Sequence, residues 1–203
     1  MSTTVLKNGS GEIAAPSSPA ESPPSTATAG VTDWRRSGIG VVRIAFGLVW
    51  LVDAAFKWVP SFHNNLDSYL ADGATGQPAA VRAWIGLWTD VIGVQPHWFG
   101  YFFAIAETAL AVALILGVFS HLTYVAGIVL TLGIWSTAEG FGGPYTAGSV
   151  DIGAAIIYVF VFALLFLTCA GQYLGLDRAL APRLGRWNVL ASGPLERTTR
   201  RNA

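Results

Sequence analysis

The sequence predicts an all-α integral membrane protein. The expected fold is a four-helix bundle with a long outer loop, a short amphipathic helix inside that loop, and a disordered N-terminal tail. Three observations predict it. First, 53% of the 203 residues are hydrophobic and only 12% are charged, against about 25% charged in a soluble domain. Second, apolar residues gather into four stretches, 39–59, 98–119, 122–138 and 152–170, and about 20 such residues in a helix cross a hydrocarbon core of roughly 30 Å. Third, arginines crowd the two chain ends and thin out between the stretches.

Composition also narrows the function. The formal net charge is zero, so nothing points to nucleic acid as a partner. The single cysteine, Cys169, excludes an intrachain disulfide, a CxxC redox pair and a four-cysteine metal site. His63, His97 and His121 have no metal-ligand spacing, so no metal is expected. A redox role would therefore need a bound cofactor or a partner protein.

Taken in order, residues 1–33 are rich in Pro, Ser, Ala and Thr. They hold too little apolar surface to offset the entropy of ordering, so disorder is expected. No apolar core of a cleavable signal is present there. Trp34, Arg35 and Arg36 then read as an interfacial anchor, and a transmembrane domain is expected over 34–175. The connection 61–97 is too polar to cross. Within it, 78–92 reads as an amphipathic helix with Val81, Trp84, Ile85, Trp88 and Ile92 on one face, lying in the headgroup region or packed on the spans. Ser120 and His121 are the only polar pair in an apolar run from Trp98 to Ala138, so a tight turn is expected there. Ala109, Ala113 and Gly117 offer a small-residue face for helix contact. Residues 139–150 form a Gly/Pro-rich loop. Residues 176–203 carry six arginines and read as a basic tail. Four crossings place both termini on one side, and the positive-inside rule makes that side cytoplasmic. The expected location is the cell membrane.

The polar residues inside this apolar frame carry the chemistry. Arg43, Gly47, Trp50, Ala54 and Lys57 fall on one stripe of the first span. Asp53 lies one turn before Lys57, where the two can pair. Glu107 is a lone carboxylate deep in the second span, which is a functional-site hypothesis by default. Glu139 and Asp151 flank the third connection. Lys57, Asp53 and Glu107 are the candidate catalytic group. Arg43, Trp50, Trp135, Glu139, Asp151 and Tyr158 are candidate ligand-binding residues. The functional reading is a proton relay or a polar ligand pocket. The plain reading is a set of pairs that fix helix register, with Asp151 as N-cap of the fourth helix and Arg43 paired elsewhere or snorkelling to headgroups.

At these residues the chain resembles the DoxX/DoxD-like family of small four-span membrane proteins. The features are Arg43-x-x-x-Gly47 with Trp50 and Lys57, Glu107 followed by LILGVFSHLT, Asp151, and the closing GQYLGLDRAL. The likeness covers about 38–180. The long outer connection and the GFGGPYT loop bring it nearer the DoxD branch, a subunit of thiosulfate:quinone oxidoreductase. The resemblance implies a quinone as cofactor and a partner redox subunit or sulfurtransferase. The alternative is a non-catalytic membrane scaffold or small-solute conduit, since no catalytic dithiol, metal motif or nucleotide motif is present.

Overall fold

A computed structural model describes residues 26–147, 149 and 151–192, with side chains from Trp34 onward. The described residues are helical, with no strand among them. The expected disordered tail lies outside the described residues as far as 25, and the expected basic tail does so from 193. The boundary at 33 moves, because helix α1 (Thr26–Lys57) already includes 26–33.

The part of α1 from Trp34 to Lys57 is long and apolar enough to cross a membrane. Gly40, Arg43, Gly47, Trp50 and Ala54 are buried along it, at the three-to-four spacing that puts side chains on one helix face. Pro60 stops the run. A residue before proline is pushed out of the helical region, and Val59 is extended at φ −75° and ψ 142°.

Where one helix is expected in the long connection, three form: α2 (Pro60–Asn64), α3 (Leu66–Ala74) and α4 (Ala79–Gly93). Leu66 and Leu70 of α3 pack against Ile85 and Ile92 of α4, with Phe99 and Phe103 alongside. The expected apolar face of α4 is split. Ile85 and Ile92 are buried, whereas Trp84 and Trp88 are exposed beside Leu87 and Val91.

Helix α5 (Pro96–Leu116) is the second helix long and apolar enough to cross. Pro96 suits its first turn, where no N–H is required. Gly117 ends it in the left-handed conformation, φ 62°, with its N–H donating to Ala113, a stop that glycine makes at no steric cost. The turn therefore falls at 117–119, and Ser120 already belongs to α6 (Ser120–Ser136). After a short 3₁₀ turn at Gly140–Gly142 comes α7 (Ala154–Leu167). Helices α6 and α7 are apolar but shorter, about 26 and 21 Å at the helical rise.

Helix α1 packs along α5, and α6 along α7. Phe46, Trp50, Leu110, Ala111, Leu114, Tyr124, Phe162 and Leu165 join all four in one core. Small residues permit the approach, though of those expected Ala109 is exposed and only Gly117 is buried in close contact. A Cβ on Gly47 would sit 2.8 Å from Ile115 Cγ1, and one on Gly127 would run into the Phe162 ring. The pairing of Gly47 with Ile115, and of Lys57 with Glu107, makes α1 and α5 antiparallel. One end of the core is covered by α2–α4 and the loop after α6, joined where Gln77 donates to Gly140 O at 2.9 Å. The other end is closed by residues 169–192, which include α8 (Asp177–Leu180).

Candidate functional site

Asp53 and Lys57 are four residues apart on α1, so their side chains meet. Lys57 Nζ donates to Asp53 Oδ2 at 3.0 Å. The same ammonium lies 3.1 Å from Glu107 Oε2 on α5, as an ion pair without hydrogen-bond alignment. Exposure falls steeply through this chain of charges, with side-chain values of 46% for Asp53, 18% for Lys57 and 1% for Glu107. Glu107 shares the inward face of α5 with Ala104, Leu110, Ala111 and Leu114. It lies about 16 Å from the start of α5, a depth at which a carboxylate requires a partner. The Phe62 ring covers the ammonium from 5.5 Å, a cation–π contact that favours the charged amine. Trp58 Nε1 donates to Thr108 Oγ1 at 3.0 Å, beside Glu107 in sequence.

Trp50 lies two turns from Lys57 on the same stripe and is 2% exposed. Its ring packs against Phe46, Tyr158 and Phe162 at centroid distances of 5.7–6.3 Å. Its Nε1 is buried without a partner among the described residues, so one donor is left facing the aromatic cluster.

Two of the expected carboxylates do not join this group. Glu139 accepts from the Ala155 N–H at 3.1 Å and so caps α7 from sixteen residues away. An anion suits the positive end of a helix. Burial pushes the Glu139 carboxyl above its usual range, opposed by the N–H groups of Ala155 and Ala154. Asp151, expected as the N-cap, only accepts from its neighbour Ile152 at 2.7 Å and is exposed. Gly153, at φ 86°, turns the chain between Asp151 and the helix, which takes that side chain away from the first-turn N–H groups. Trp135 donates to Ile152 O at 2.9 Å and packs on Phe141. It fastens this loop and does not wall the Lys57 site.

Arg43 sits at the opposite end of the core and is fully buried. It neither snorkels nor meets the Lys57 group. Its guanidinium donates to Leu174 O at 2.9 Å and Tyr173 O at 3.3 Å. Gly117 and Gly175 leave room for it, since a Cβ on Gly117 would overlap Nη1. Around it lies a polar cluster that sequence reasoning missed. Asp177 is fully buried, and its Oδ2 accepts from the backbone N–H groups of Ser120 and Ser192, each at 2.9 Å. Tyr124, Ser120 and Asp177 each keep a buried polar atom without a partner among the described residues. The sequence signal was the glycines at 117, 171 and 175, spaced for close approach. His63 was also missed: it is buried, with its ring 4.4 Å from that of Tyr101.

Two cavities accompany the Arg43 end, of about 510 and 420 Å³, and neither is lined by Asp53, Lys57 or Glu107. Comparison of the chain with protein-family models, with curated proteins and with solved structures returns no match.

Proposed function

We propose that this protein is a multi-pass integral membrane protein in which α1, α5, α6 and α7 each cross the bilayer, with both termini cytoplasmic. Large apolar side chains exposed on all four helices support this: Val52 and Phe56, Tyr101 and Ile105, Val125 and Val129, Phe160 and Leu164. Contiguous apolar surface of this kind marks contact with lipid or protein. The shorter α6 and α7 fit by local thinning of the bilayer. Arg35, Arg36, Arg178, Arg183 and Arg186 fall at one end of the core, against Arg82 at the other, which supports this orientation.

Within that frame the protein serves as the membrane subunit of a quinone-linked oxidoreductase acting with a sulfur donor such as thiosulfate. The observation that carries this reading is the Asp53–Lys57–Glu107 chain of charges, which runs from half-exposed to fully buried inside apolar helices. Such a chain can pass a proton inward, with Lys57 shared between a carboxylate open to the surface and one closed to it. A bound quinone would supply acceptance of two electrons and two protons. Lys57 and Trp50 Nε1, a buried donor without a partner among the described residues, are the groups that would donate to its carbonyl oxygens. The likeness of 38–180 to the DoxX/DoxD-like family supports the same reading. Membranes carrying the protein with its partner subunit should bleach a soluble quinone when thiosulfate is added, and Glu107→Gln should remove that activity. Failure with every sulfur donor tried would overturn it.

A second reading is a non-catalytic membrane scaffold or small-solute conduit. The mutual pairing of the three charges, with the two cavities at the far end, favours it. On that reading Glu107→Gln changes stability and no turnover.

A further inference from the structure

The end of the core that holds Arg43 has a built cavity with no role in the reading above. It occupies about 510 Å³, a volume suited to a small polar group. Arg36, at the start of the apolar part of α1, and Arg178, on α8, line it together with Gln172, Asp177 and Ser192. Its one carboxylate is partly engaged: Asp177 Oδ2 takes two backbone N–H groups, while Oδ1 is buried without a partner among the described residues. Two guanidiniums therefore outnumber the single carboxylate in the lining. Two buried donors in the lining also lack partners among the described residues, Gln172 Nε2 and Ser192 Oγ, and Ser192 is only 1% exposed.

A second cavity of about 420 Å³ adjoins this one, sharing Leu174 and Arg178. Its walls are otherwise Ile115, Leu116, Gly175 and Leu176. Leu116, Leu174 and Leu176 are exposed, so the groove runs out onto the apolar surface of α5. A cationic chamber that opens into an apolar groove has the polarity of an amphiphile with an anionic head.

We infer that the two cavities form one site for an anionic phospholipid. Arg36 and Arg178 hold the phosphate, as guanidiniums do through paired N–H donors. Gln172 and Ser192 donate to the glycerol and ester oxygens, and an acyl chain lies along Leu116, Leu174 and Leu176. Basic pockets between helices on the cytoplasmic side recognise anionic headgroups in this way. The inference rests on the four-span reading, because that places the chamber at headgroup level.

The test is native mass spectrometry of the full chain released from detergent, with phosphatidylglycerol, phosphatidylcholine or inorganic phosphate supplied. One phosphatidylglycerol per chain should survive release and phosphatidylcholine should be stripped. R36Q/R178Q should lower phosphatidylglycerol retention at least tenfold with the helical circular dichroism unchanged. A second variant guards against misfolding. Leu174 is left-handed at φ 56°, a conformation asparagine tolerates better than leucine, so Leu174→Asn should fold at least as well and still lose lipid. Equal retention of both lipids, or full retention by these variants, overturns the inference. Displacement of the lipid by millimolar phosphate makes it a free-anion site and overturns it too. A chain that stays in water without detergent would retire the membrane reading as well. An inserted chain that keeps no anionic lipid retires this inference alone.

Discussion

Lys57 is the residue on which the Glu107 site turns, because it is the one cation that Asp53 and Glu107 share. Removing one partner of a buried pair leaves an uncompensated charge and costs about 3–5 kcal/mol. Lys57→Met should therefore destabilise the detergent-solubilised protein by about that amount. Glu107→Gln in the same chain should recover most of the loss, because both charges are then gone. Asp53→Asn should cost under about 1 kcal/mol, because that pair is half exposed. Chemical denaturation of the three variants reads this out. At Glu139 the expectation concerns pH. Its folded carboxyl is raised by burial, so the folded chain holds the proton more tightly than the unfolded one. Stability should then fall as pH rises from the ordinary glutamate range through the raised folded value, and Glu139→Gln should flatten that slope. The Asp53–Lys57 pairing was legible because helical spacing alone places them together. The capping role of Glu139 was not, since proximity in sequence favours Asp151, and only the left-handed turn at Gly153 reveals why Asp151 cannot reach.

At the level of elements, long apolar runs were readable to within two or three residues except at the start of α1, expected at 39 but found at Thr26, because the bilayer-length pattern outweighs local detail. The short α2 and α3 were hidden. Five and nine residues are too few to show a helical period, and their stability comes from burying Leu66 and Leu70 under α4. Residues 176–192 read as a charged tail, yet they dock. What fixes them is one fully buried carboxylate, Asp177, bonded to Ser120 and Ser192, and a lone aspartate among arginines gives no such warning. Asp177→Ala strands two buried N–H groups, at about 1–3 kcal/mol each. Limited proteolysis should then cut within 178–192 at least ten times faster than in the parent, while cleavage within α3 and α4 stays at its parental rate. Equal cutting at both places would mean a global loss of stability and not the release of this segment.

For the whole molecule, the account stands on four crossings that bring Lys57 and Glu107 together inside the membrane. Composition and the arginine distribution led to that proposal before any coordinates, and the antiparallel packing of α1 with α5 supports it. The most direct measurement is labelling of single cysteines in intact cells with an impermeant maleimide, in a chain whose Cys169 is replaced by serine. Ser37, one turn into the apolar part of α1, and Ser68, Thr146 and Arg183, between and after the four helices, are exposed positions. The account predicts that Ser68→Cys and Thr146→Cys react from outside, and that Ser37→Cys and Arg183→Cys react only after lysis. Labelling of Ser68→Cys and Thr146→Cys from opposite sides, or of all four positions alike, would contradict it.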